Sequence, residues 1–144
     1  MTNLAFDLGH EPIWEVFQRF GIGEPMGTGF PGESSGLLPN RPRWYSTEKV
    51  SLAFGYGITT TPLQLARAYT AFASGGLQRP VSLLAINGVI PEPRRVISET
   101  VAAQVLAVFH AVTGDHGPAP TARLAAFKVA GKPGPERTVG RGGY

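Results

Sequence analysis

Nineteen glycines and thirteen prolines are spread over 144 residues, and most of them gather in two stretches, 21–43 and 114–143. Glycine brings conformational entropy that regular structure must remove, and proline lacks the N–H that a helix or ladder needs. Those two stretches therefore read as long loops. Regular structure is left to the segments before residue 21, from about 44 to 76, and from 98 to 113. The predicted order is helices first and a strand near the end, a mixed α+β class with helices on a small part of a sheet.

Local patterns fill in that outline. Thr2 to Leu8 reads as the end of a buried helix. Glu11 to Phe20 reads as an amphipathic helix, with Ile13, Trp14, Phe17 and Phe20 opposite Glu15, Gln18 and Arg19, stopped by Gly21 and Gly23. Residues 21–47 then form a long structured loop. Thr61-Pro62-Leu63-Gln64 is a capping box with proline at the first helical position. Leu63, Ala66, Ala68, Tyr69, Ala71 and Phe72 continue it as a largely buried helix that Gly75-Gly76 close. Arg79 to Ile90 suggests extended chain. Ser98 caps another helix, with Val101, Val105, Val108, Phe109 and Val112 at core spacing. Leu124 to Gly131 alternates loosely, as a strand would.

Composition excludes several classes. A net charge of +3, with no basic run longer than Arg94-Arg95, does not describe a nucleic-acid reader. With no cysteine there is neither a disulfide framework nor thiolate chemistry. His10, His110 and His116 lack metal-ligand spacing, and no cofactor is implied. No window reaches the roughly eighteen apolar residues of a spanning helix, and the N-terminus carries no signal-peptide pattern. Other residues take ordinary structural readings. Glu33-Ser34-Ser35 reads as a capped turn, Phe54-Gly55-Tyr56-Gly57 as a close-packing turn with Tyr56 in the packing, Arg67 as solvent-facing, and Trp14 and Trp44 as anchors.

The chemistry-bearing stretch is Val129-Ala130-Gly131-Lys132-Pro133-Gly134-Pro135. Three earlier blocks accompany it: Thr28-Gly29-Phe30-Pro31-Gly32-Glu33-Ser34-Ser35-Gly36 with Leu38-Pro39, then Arg41-Pro42-Arg43-Trp44, then Phe54-Gly55-Tyr56-Gly57 with Thr61-Pro62-Leu63-Gln64-Leu65-Ala66. Together they resemble the transpeptidase domain of class B penicillin-binding proteins, and most closely the division-specific peptidoglycan D,D-transpeptidase.

The resemblance implies a penicillin-binding, serine β-lactamase-like fold and a serine acyl-enzyme mechanism on D-Ala-D-Ala stem peptides, with β-lactams as inhibitors. It also implies divisome partners and a place on the periplasmic side of the bacterial inner membrane. Lys132 then matches the lysine of a Lys-Thr-Gly motif. It would hold a substrate carboxylate and assist proton movement. Pro133 stands where a hydroxyl would bind that carboxylate, Gly134 where substrate backbone approaches, and Pro135 where a backbone N–H would serve an oxyanion hole. One such donor is worth roughly 3–4 kcal/mol of barrier, and proline has none. The substrate-binding set is Lys132, Pro133, Gly134 and Pro135, in degenerate form. Pro118 is a third proline where a small hydroxyl residue is expected.

Two further motifs of that family, Ser-x-x-K and Ser-x-Asn, do not occur at the expected places. Residues 1–144 are therefore expected to be a C-terminal portion of a transpeptidase domain, incomplete at both ends and without its nucleophile. Ser46-Thr47-Glu48-Lys49 matches Ser-x-x-K literally. Seven serines and three lysines make roughly 0.15 chance matches, and the stretch reads better as a helix start capped by Ser46 or Thr47. Two functions stay open: a contributor of Lys132 and Gly134 to acyl transfer, or a non-catalytic remnant acting at most through its surfaces.

Overall fold

Thr61 begins the helix at the centre of the molecule. A computed structural model describes residues 2–40 and 44–133. In it the Thr61 hydroxyl accepts from the Gln64 amide at 3.1 Å while the Gln64 side chain accepts from the Thr61 amide at 2.9 Å. That reciprocal cap, worth about 1 kcal/mol for the threonine alone, starts a helix over Pro62–Ala73. In chain order the helices are α1 (Thr2–Leu8), α2 (Glu11–Arg19), α3 (Ser46–Ala53), α4 (Pro62–Ala73) and α5 (Glu99–Val112). Strands β1 (Leu77–Gln78) and β2 (Arg94–Arg95) lie between α4 and α5 and pair antiparallel, Leu77 opposite Arg95. The architecture is thus mixed, helices with one small sheet among the described residues.

The turn from α4 into β1 requires glycine. Gly76 has φ +90°, and a Cβ there would stand 2.2 Å from the Ile97 carbonyl oxygen. The close approach lets Gly76 donate to Ala71 O at 2.7 Å and accept from the Val96 amide at 2.9 Å. It brings Val96, the residue after β2, into the core beside Ala71 of α4. The core forms at that junction, from Phe20, Ala71 and Val96 with Ala68, Phe72 and Ile97 packed on them. An aromatic chain extends it to α5. Phe72 stacks on Phe20 at 5.6 Å and meets Phe109 edge-on at 5.3 Å, and Tyr69 lies 5.7 Å from Phe109. Pairs of this kind add about 0.5–1.5 kcal/mol each beyond area burial.

The segment 21–40 is a loop, but a tethered one. Gln64 is only 2% exposed. Its side-chain amide donates to Glu24 O at 2.9 Å and Ser35 O at 2.8 Å. Leu37 and Thr59 exchange backbone bonds of 2.8 and 2.9 Å. The Glu33 carboxylate accepts from the Met26 amide, from the Gly27 amide at 3.1 Å, and from the Thr28 amide and hydroxyl at 2.9 and 2.6 Å. Trp14 donates to Pro39 O at 2.8 Å, and the His10 and Trp44 rings lie 5.2 Å apart.

Several expectations need correction. The helices are present but less buried than their patterns imply: Phe6 and Leu8 of α1, Leu63, Leu65 and Tyr69 of α4, and Val101 and Val108 of α5 are exposed. A helical stripe reports a face that needs covering, and the described residues do not supply the cover. Leu124 to Gly131 is not a strand. Leu124 and Phe127 form one isolated bridge around a tight turn, and 128–133 is irregular. A strand needs a neighbouring strand, and here the segment leans on the end of α5 instead. Gly55 and Gly57 have open space where a Cβ would sit and φ of +81° and +77°, so they turn the chain and do not serve close packing. Tyr56 beside them is exposed rather than packed. α3 begins one or two residues earlier than a cap at Ser46 or Thr47 implies: its cap is Tyr45, whose amide donates to Glu48 at 3.0 Å, so Ser46 is already helical. Arg67 does not face open solvent. It is half-buried, with its Nε enclosed and unbonded.

Candidate functional site

The Lys132 segment is held by α5. The last four carbonyls of a helix have no partner within it. Here one of them, Phe109 O, accepts from the Gly131 amide at 3.1 Å. Two residues earlier, Val129 O receives the Thr113 hydroxyl at 2.6 Å and His110 Nδ1 at 3.3 Å. Facing a carbonyl, Nδ1 must carry the ring proton. Thr113 Oγ1 also lies 3.2 Å from His110 O. A hydroxyl has one hydrogen, and the shorter bond to Val129 takes it. Thr113 itself is buried.

Lys132 follows directly and is exposed, its Nζ donating to Pro133 O at 2.6 Å. Among the described residues no carboxylate pairs with it. Pro133 is exposed and offers neither N–H nor hydroxyl. Gly134 and Pro135 lie outside the described residues. Of the four sequence-predicted site residues, the structure thus places Lys132 and Pro133 side by side at the surface.

A cleft of about 560 Å³ adjoins this segment, between His110 and Thr113 on one side and Arg123, Phe127 and Lys128 on the other. Arg123 fixes its rim by donating through Nε to Thr113 O at 3.2 Å and pairing with Asp115 at 2.6 Å. That pair is solvent-exposed and worth little by itself. A second cleft, about 350 Å³, lies under the 21–40 loop between Met26, Phe30, Leu63 and Leu83, with Glu33 at its edge. The hydrogen bond from the Thr28 hydroxyl, seconded by three backbone amides and opposed by partial burial, holds the Glu33 carboxyl below its usual range. Burial and the neighbouring positive charge of Arg94 lower Arg67, with Glu24 partly offsetting them.

Ser46 lies on a different element from Lys132: α3 packs on α1 and α2, whereas Lys132 rides on the end of α5. Among the described residues no His, Cys, Asp or Glu cluster could hold a metal ion, and no helix is long and apolar enough to cross a membrane. Sequence reasoning missed Thr113 and His110, because a threonine and a histidine ending a helix carry no motif. It also missed that Gln64, read only as a cap, closes the loop.

Residues 1–144 match the family model described as the penicillin binding protein transpeptidase domain. The chain is 36% identical over 143 residues to the probable peptidoglycan D,D-transpeptidase PenA of Neisseria meningitidis serogroup A, covering 99% of this chain and 24% of that protein. It is 33% identical over 143 residues to the peptidoglycan D,D-transpeptidase FtsI of Escherichia coli K12, with the same coverage. The transpeptidase domain of Burkholderia pseudomallei penicillin-binding protein 3 superposes with a TM-score of 0.84 at 34% identity, covering 99% of this chain and 44% of that one. The chain therefore spans about a quarter of the length of these curated relatives. By its match from end to end, the chain belongs to the penicillin-binding transpeptidase family.

Proposed function

We propose that these residues are a C-terminal portion of a peptidoglycan D,D-transpeptidase domain and carry the lysine side of its serine acyl-transfer site. The observation that carries this reading is Lys132: in the motif position, exposed, without a carboxylate partner among the described residues, on backbone anchored to α5. In the reaction a serine hydroxyl attacks the carbonyl between the two D-alanines of a stem peptide and the terminal D-alanine leaves. The acyl group then passes to an acceptor amine, forming the cross-link. Lys132 would hold the substrate carboxylate, or that of a β-lactam, by charge. Pro133 and Pro135 would weaken this copy of the site, the first by withholding a hydroxyl and the second an oxyanion donor. The acylated serine is expected on chain beyond these residues, and the chain alone is expected to be inactive.

The relatives named FtsI and PenA support the finer reading, septal cross-linking on the periplasmic face of the inner membrane with divisome partners. The second reading, a non-catalytic remnant, is favoured by Pro133. One experiment separates the two. This segment is grafted in place of its counterpart in the Burkholderia pseudomallei transpeptidase domain and labelled with fluorescent penicillin. Weak labelling that Pro133→Thr with Pro135→Thr strengthens supports the catalytic reading. Labelling absent in both grafts, while both melt cooperatively, supports the remnant.

A further inference from the structure

We infer that Thr113, assisted by His110, is a positioning residue that sets the register in which Lys132 is presented. The inference rests on the reading of Lys132 as substrate-facing. Two alternate residues of this segment face the end of the helix. Val129 uses its carbonyl and Gly131 its amide towards α5. Among the described residues the backbone groups of Ala130 and Lys132 make no such bond to α5. A slip of one residue would bring the Ala130 and Lys132 backbone against the helix end in place of Val129 and Gly131.

What opposes the slip is chemistry at the last turn of α5. Phe109 O can accept an N–H but offers no donor. Val129 O needs donors, and two side chains bring them: the Thr113 hydroxyl at 2.6 Å and His110 Nδ1 at 3.3 Å. Thr113 is the stronger of the two by distance, and it is buried, so water does not compete for its bond. Its own carbonyl is tied by Arg123 Nε at 3.2 Å, which keeps the residue after the helix from drifting. The same hydroxyl cannot be replaced by the isosteric methyl of valine without leaving Val129 O short of its best donor.

The test is amide hydrogen exchange on the 144-residue chain, read at Gly131 and, as an internal reference, at Ser74, whose amide bonds to Thr70 O in α4. Thr113→Val is expected to speed exchange at Gly131 about tenfold and to leave Ser74 unchanged, as loss of one well-made bond predicts. Thr113→Ser, which keeps the hydroxyl, is expected to restore protection, and His110→Phe to give a smaller loss than Thr113→Val. Unchanged exchange at Gly131 in Thr113→Val overturns the inference. So does a serine variant as damaging as valine, which would make the methyl and not the hydroxyl responsible, and so does an equal loss at Ser74, which would make the effect global. Exchange is read without any acylation, so the clamp is decided even if the grafted domain fails to bind penicillin. In a labelling graft, Thr113→Val should lower the acylation rate and Thr113→Ser should recover it.

Discussion

The side-chain amide of Gln64 closes the 21–40 loop onto α4. Its nitrogen serves Glu24 O and Ser35 O, its oxygen serves the Thr61 amide, and nearly all of it is buried. Gln64→Ala would strand two loop carbonyls and an amide, and should cost about 2–4 kcal/mol, read as a lower midpoint in urea with little change of slope. Glu33 makes a complementary, pH-dependent clasp. Its folded-state carboxyl is depressed, mainly by the Thr28 hydroxyl. The stability it contributes is therefore fully present above the unfolded carboxylate value and is lost as pH falls through the lower folded value. Protection factors at the Met26, Gly27 and Thr28 amides, taken against the intrinsic exchange rate at each pH, should hold at pH 5 and fall on acidification below the usual carboxylate range. Protection unchanged over that acid range, or protection that falls instead as pH rises towards neutrality, would contradict the clasp. Arg67 makes the opposite kind of contribution. Its guanidinium is half-buried beside Arg94 with an unbonded Nε, so Arg67→Met should raise stability slightly, solvent screening keeping the gain small. A loss of stability would show that the charge is needed.

At the scale of elements, what could be read from sequence was what local chemistry decides. The starts of α4 and α5 were legible because Thr61 and Ser98 are caps, each accepting the amide three residues on. The end of α4 was legible because Gly75-Gly76 can adopt the left-handed backbone that Ala73 and Ser74 would resist. Gly76→Ala should accordingly destabilise by more than about 1 kcal/mol, since both its φ and its contact with Ile97 O exclude a methyl group. A thermal midpoint matching the parent's would refute that. The expected strand over Leu124–Gly131 was not legible in the same way. Alternation describes two faces, but a ladder also requires a partner, and no local pattern supplies one. Its backbone groups went to α5 through Thr113, His110 and Phe109, contacts made across sixteen or more residues that no motif announces. The candidate site divides likewise: Lys132 was visible by its neighbours in sequence, whereas the residues that hold it were visible only once folded.

At the scale of the whole molecule, the balance of burial decides behaviour. The described core is small, and large apolar side chains stand outside it on several elements. Val108 on α5 is 64% exposed, and Val89 in the connection between β1 and β2 is 94% exposed. Leu84, Ile90, Leu124 and Phe127 are exposed as well. Single exposed apolar residues are ordinary, but clustered ones favour association, because burial recovers about 25 cal/mol for each square ångström removed from water. The relatives are about four times as long as this chain, and in them a helix face such as that of α5 has more protein available to cover it. The isolated 144-residue chain should therefore self-associate with rising concentration, seen as a growing weight-average mass in sedimentation equilibrium. Leu84→Lys with Val89→Lys should shift that growth to higher concentration without altering the melt of the α4–α5 core, since neither side chain belongs to it. A monodisperse monomer at every concentration, melting in one cooperative transition, would mean that the apolar faces are tolerated as they stand and that α4, α5 and the small sheet suffice to fold the chain alone.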